Sequence, residues 1–157
     1  IGGLSTELKQ IMKRKSQNIK WIGHVKQDDL VKYYQNSDIF VIASIEEGMA
    51  MVQMQALSCG LPLICTTNTG GEDLLNINDK KPISREMNIK EYNAGYVIPI
   101  NSPQAIAWCI KELKNNNSLL KKKSENAYVL AQNKLDWSNY GLRSINNYKK
   151  QIRTHNE

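Results

Sequence analysis

Two unbroken apolar runs, Ile39-Phe40-Val41-Ile42-Ala43 and Leu61-Pro62-Leu63-Ile64-Cys65, constrain this chain more than any other feature. A strand with one wet face alternates polar and apolar residues. A run without alternation predicts a strand buried on both faces, as in a parallel sheet covered by helices. Between the runs, Ala50 to Ser58 carries the helix formers Met51, Met54, Ala56 and Leu57, and Cys59-Gly60 with Pro62 beyond supplies a helix stop. Strand, helix and strand in that order make a β-α-β unit.

The rest of the chain continues the alternation. Leu8, Ile11 and Met12 recur at helical spacing over Thr6 to Arg14, Ile19 to Val25 is short and β-rich around Gly23, and Asp28-Asp29 opens a helix bearing Leu30, Tyr33 and Tyr34. After Thr66 comes the polar turn Thr67-Asn68-Thr69-Gly70-Gly71 and a helix start at Glu72-Asp73-Leu74-Leu75. Asn76 to Asn93 is charged and aperiodic, which reads as a surface loop. Gly95 to Pro99 predicts a strand, and Ser102-Pro103 places a cap and an N1 proline ahead of Ala105, Ile106, Cys109, Ile110 and Leu113. Helices are expected from about Leu119 to Gln132 and along the Trp137, Gly141, Ile145, Tyr148 and Ile152 stripe. The fold class is therefore α/β, an open, mainly parallel sheet, with ligands expected at strand C-terminal ends near helix starts.

Composition narrows the function classes. Only 41% of residues are hydrophobic, 23% are charged, and no apolar run approaches the ~18 residues of a membrane span. Lys plus Arg number 21 against 15 Asp plus Glu, a net charge of +6. The lysine clusters, among them Lys80-Lys81 and Lys121-Lys122-Lys123, are scattered and lack interleaved aromatics, so they read as solvated helix faces and no nucleic-acid partner is expected. Cys59, Cys65 and Cys109 have neither metal nor redox spacing and read as reduced core thiols of a cytoplasmic protein. No metal is expected.

Two loops fall at the predicted strand ends, Ala43-Ser44-Ile45-Glu46-Glu47-Gly48-Met49 and Thr66-Thr67-Asn68-Thr69-Gly70-Gly71. Backbone N–H groups at a helix start have no intrahelical partners and carry partial positive charge, and glycine permits close approach. Such loops suit a phosphate ester, and they equally suit ordinary strand-to-helix turns, because neither contains a P-loop lysine pattern or a dinucleotide fingerprint. Glu46 and Glu47 are favoured beside a helix start whatever their role. Gln55 follows Glu47 by eight residues, about 80° around the helix and roughly 12 Å along it, so a ligand lying along this helix edge is expected to reach both.

The stretch EEGMAMVQMQALSCGLPLICTTNTGGEDL resembles the donor-binding core of retaining, family 4-like glycosyltransferases. There a Glu-Gly loop, a helix, a small-Gly-x-Pro turn, an apolar strand and a Gly-Gly loop follow in that order. NIKWIGHV and NSDIFVIAS resemble the preceding strand pair, GYVIPINSPQAIAWCIKEL the late strand and helix, and LDWSNYGLRSINNY the terminal helix region. The resemblance covers nearly the whole chain, and the ordered combination is more specific than any single motif.

It implies a Rossmann-like, doubly wound C-terminal domain of the GT-B fold, with residues 1–133 as its body and 134–157 as its terminal helix region. The domain's first strands, with the loop whose Arg and Lys neutralise the leaving diphosphate, would precede Ile1. It also implies that Glu47 orients the donor sugar and that amides of Gly48, Met49, Ala50 and Met51 lie near sugar and diphosphate. Val25 and Gln27 would stand at the base-contacting strand end, and Gly70 and Gly71 beside the donor pocket. The family's second acidic position, which holds ribose hydroxyls, is Gln55 here, so a charge-assisted bond becomes a neutral one and ribose binding should weaken.

The expected reaction is transfer of a hexose-type sugar from a nucleoside diphosphate to a hydroxyl acceptor, with retention, in glycan or surface polysaccharide synthesis. No cofactor or metal takes part. The saccharide or lipid-linked acceptor would be read by an N-terminal domain outside this chain, in the cytoplasm or peripherally at the inner face of the membrane. The competing expectation is a non-catalytic nucleotide-binding or interaction module, an inactive fragment.

Overall fold

The computed structural model describes residues 18–48, 50–76, 81–134 and 145. The predicted helix over Thr6–Arg14 and, apart from Ile145, the terminal stripe lie outside the described residues. The chain divides into two compact units, one ending at Asn36 and one beginning at Ser37.

The first unit contributes helix α1 (Gln27–Gln35), with Asp28 and Asp29 in its first turn and Tyr34 buried. Asp29 pairs with Lys32 at 3.0 Å on an exposed face, a contact worth at most about 1 kcal/mol. The strand predicted over Ile19–Val25 does not form. Gly23 has φ +78°, which breaks the pleat in mid-run, and Ile19, Trp21 and Ile22 are exposed.

The second unit contains β1 (Phe40–Ile42), α2 (Met51–Ser58), β2 (Leu63–Thr66), α3 (Gly71–Leu75), β3 (Ile83–Ser84), a short 3-10 turn, β4 (Lys90–Tyr92), β5 (Gly95–Ile98), α4 (Pro103–Asn115) and α5 (Asn117–Lys134). They form one five-stranded sheet in the order β1-β2-β5-β4-β3. β1, β2 and β5 are parallel, in the register Phe40 to Leu63 and Leu63 to Gly95, while β4 and β3 add antiparallel to β5. The predicted β-α-β unit is thus present.

Both sheet faces are covered, as in a doubly wound fold. Leu63, Cys65 and Val97 point to one side, where Leu57, Leu74, Ala127 and Leu130 of the helices meet them. Ile64, Tyr96 and Ile98 point to the other, against Ala105, Cys109 and Leu113 of α4. β2 and β5 are buried along their whole lengths, and each large apolar side chain so enclosed contributes roughly 1.5–3 kcal/mol. Burial also pushes the free thiols of Cys65 and Cys109 up to about 12, so they are inert core groups. Expected double burial fails at β1: among the described residues it is the sheet edge, and Val41 is 38% exposed.

The helix stop at Cys59-Gly60 is a Schellman motif. Gly60 takes φ +74°, its N–H donates to Leu57 O, and the N–H of Leu61 donates to Ala56 O. Ser102 occupies the cap position of α4 with Pro103 at its start, but its hydroxyl makes no capping bond.

The segment expected as a surface loop is instead partly built into the sheet. Its described part supplies β3 and β4, with Ile89 and Tyr92 buried. Three of its charged residues are paired: Lys90 Nζ lies 2.7 Å from Glu72 Oε1, to which Tyr92 also donates its hydroxyl at 2.6 Å. Glu91 accepts from Arg85 at 2.6 Å and from Lys123 at 2.9 Å. Lys123, expected on a solvated face, has a side chain only 3% exposed. Its ammonium donates to Tyr92 O at 2.7 Å and sits 4.5 Å from the Tyr96 ring centroid.

Candidate functional site

The parallel strands β1, β2 and β5 end on the same side of the sheet, so their C-terminal loops share one rim. The 43–50 loop leaves β1 and enters α2, and the 67–70 loop leaves β2 and enters α3. Four hydrogen bonds join and brace them. Glu47 N–H donates to Asn68 O at 2.9 Å, Thr66 Oγ1 to Ser44 O at 2.6 Å, Thr67 N–H to Ile98 O at 3.0 Å, and Gln53 Nε2 to Thr69 O at 2.7 Å. The two loops selected from the sequence therefore make one surface.

Glu47 is exposed on that surface. Ser44 Oγ donates to its Oε2 at 2.9 Å, which fixes the carboxylate and leaves lone pairs for a ligand hydroxyl. Gly48 is exposed, with open space where a Cβ would stand. Met49 lies outside the described residues. Ala50 is buried at the cap position of α2 and makes no side-chain cap, and Met51, the first helical residue, is 49% exposed. The start of α2 thus keeps backbone donors that no capping side chain satisfies.

Gln55 lies on the second turn of α2 and is half-buried. The spacing expected between Glu47 and Gln55 does not hold, because α2 begins only at Met51 and residues 47–50 are not helical. Gly70 takes φ +68°, and Gly71 is buried where a Cβ would collide with Gln53 Oε1 and Cys65 Sγ. In the first unit, Val25 is half-buried in a segment without regular structure, and Gln27 is the exposed first residue of α1.

Sequence reasoning missed Gln53. It is fully buried on a helix otherwise lined by Ala56 and Leu57, and its carboxamide is the link between α2 and the second loop. A glutamine inside the run MVQMQALS was the available signal. A cavity of about 740 Å³, lined by Lys81, Asn93, Lys122, Asn126 and Leu130 among others, lies beside the start of β5, at the opposite end of the parallel strands, and includes none of the predicted site residues.

Among the described residues, no three His, Cys, Asp or Glu side chains are grouped to hold a metal. No helix among them is long and apolar enough to cross a membrane.

Comparison with known proteins agrees with this geometry. The family described as glycosyl transferases group 1 matches residues 2–130. The O-antigen chain mannosyltransferase B of Escherichia coli is 28% identical over 132 residues, which are 83% of this chain and 30% of that protein. The chain spans about 30% of the curated relatives it matches. The pneumococcal O-GlcNAc transferase GtfA, solved in complex with UDP and GlcNAc, superposes with a TM-score of 0.61 at 26% identity, covering 83% of this chain and 24% of that one. The C-terminal domain of a glycosyl transferase group 1 protein from Francisella tularensis gives 0.62 at 23% identity, covering 83% and 62%. The ordered loops, the doubly wound sheet and the family match converge: this chain belongs to the group 1 glycosyl transferases, as a C-terminal domain of the GT-B fold.

Proposed function

We propose that this chain is the donor-binding part of an enzyme that moves a hexose-type sugar from a nucleoside diphosphate to a hydroxyl acceptor with retention at the anomeric carbon. The observation that carries the reading is the single surface made by the two strand-end loops, with Glu47 held on it by Ser44 and the uncapped start of α2 beside it. Transfer of a sugar builds negative charge on the leaving diphosphate and positive charge on the sugar. Oriented backbone donors and a fixed carboxylate meet those charges without covalent participation. A resident metal has no part in this scheme.

The Escherichia coli relative, a mannosyltransferase, and the pneumococcal neighbour, solved with UDP and GlcNAc, support a nucleotide-sugar donor and synthesis of a glycan. A saccharide or lipid-linked acceptor held by another domain, and a cytoplasmic site of action or the inner membrane face, go with this reading. Gln55 supports a second one, a nucleotide-binding module without turnover, since a ribose diol there meets an amide in place of a carboxylate.

Calorimetric titration of the complete protein with UDP- and GDP-sugars, followed by an acceptor screen, separates the two. Saturable binding with transfer, unchanged by EDTA and giving a product of unchanged anomeric configuration, is expected. Binding without transfer selects the module, and no binding to any nucleotide sugar overturns both.

A further inference from the structure

The Gln53 carboxamide reaches across to the neighbouring loop. Its NH2 donates to Thr69 O at 2.7 Å across 16 residues of sequence. Its Oε1 lies 3.5 Å from Thr69 Oγ1, but that hydroxyl has one proton and a nearer acceptor, Thr66 O at 2.9 Å. The same Oε1 faces Gly71 so closely that no Cβ fits between them. The carboxamide therefore spans the backbone from Thr69 to Gly71 and sets its height above α2. Burial makes this exacting, because a fully buried amide has no water to replace a partner that moves away.

We propose that Gln53 is a positioning residue for donor binding: it holds the Thr66–Gly71 loop in the register at which that loop and the Glu47 loop meet one ligand together. It touches no ligand itself, being fully buried. The loop that it holds also accepts from the Glu47 backbone through Asn68 O, a tie that does not involve Gln53. This inference rests on the donor-binding reading above.

The test uses the complete protein. Gln53→Met keeps the length of the side chain and deletes the donor. Its donor KM is expected to rise about tenfold, with kcat and acceptor KM within about twofold of wild type. Leu113→Ala, in the core between α4 and the sheet, is the control: it lowers thermal stability and leaves donor KM unchanged. A Gln53→Met protein whose donor KM stays at the wild-type value, or changes no more than that of Leu113→Ala, overturns the proposal. Gln53→Leu, with another shape and the same missing donor, decides the matter if the methionine variant does not fold.

Hydrogen exchange separates this idea from the donor reading itself. Amides of residues 67–71 should exchange faster in Gln53→Met than in wild type whether or not any nucleotide sugar binds, and equal rates overturn the positioning role. Wild-type protein that binds no nucleotide sugar overturns the donor reading instead.

Discussion

Glu47→Ala in the complete protein lowers sugar transfer by about 10²–10³-fold while shifting the thermal midpoint by no more than a degree or two. The asymmetry follows from where Glu47 sits. Its side chain is exposed and accepts from the hydroxyl of Ser44 three residues away, so little folding energy is lost when it goes. Its structural bond, to Asn68 O, is made by the backbone N–H, which alanine keeps. What alanine removes is the fixed carboxylate on the rim. A preorganised charged group facing a developing charge is commonly worth two to three powers of ten in turnover. Glu47→Gln should recover part of the donor binding and little of the rate, since the shape remains and the charge does not. Turnover of Glu47→Ala equal to wild type, measured at saturating donor, removes Glu47 from the reaction and leaves the loops as a binding surface alone.

The fold was legible where one level of physics decided the outcome. The unbroken apolar run at Leu61–Cys65 predicted a doubly buried strand and Gly95 to Pro99 a strand, and the structure buries every residue of β2 and β5. Helical periodicity and an N1 proline placed α4, and glycine chemistry placed the end of α2. The misses have separate causes, one in strand pairing and one in a single backbone angle. Ile83 and Ser84 are both exposed, so β3 has no apolar pattern, and it exists because its backbone pairs with Lys90 and Glu91. Ile19–Val25 has the composition of a strand, but Gly23 turns left-handed within it.

The site divides in the same way. Position in a parallel sheet marked the two strand-end loops, and the role expected of Glu47 came from the family resemblance. Gln53 stayed hidden because a buried polar side chain is recognised by its partner, Thr69 O, and that partner is a backbone atom found only in three dimensions.

Glu91→Ala is expected to have the largest effect on stability, about 3–5 kcal/mol at pH 7, because it strands a buried ammonium. Glu91 and Lys123 are 10% and 3% exposed, and among the described residues Glu91 is the carboxylate paired with Lys123. Burial works to raise the Glu91 carboxyl, but hydrogen bonds from Lys123 and Arg85 outweigh it and hold the group below its usual range. Burial lowers the Lys123 ammonium, and Glu91 offsets only part of that. Glu72, bonded to Lys90 and Tyr92, is likewise held low against its own burial. For both carboxylates the sign is that of a depressed acid. Their contribution is complete above the unfolded carboxyl pKa of about 4.3 and is lost as the pH falls through the lower folded value.

The antiparallel extension of β3 and β4 is therefore tied to α3 and α5 by bonds that acid releases. Denaturant unfolding at pH 7 and pH 3 checks this: the wild type loses stability between them, and Glu91→Ala loses less because part of its loss is already taken. The double change Glu91→Leu with Lys123→Met should recover most of the single-variant loss at pH 7, since removing both charges leaves neither stranded. Additive losses in that pair would mean that Lys123 is held by Tyr92 O and the Tyr96 ring rather than by Glu91.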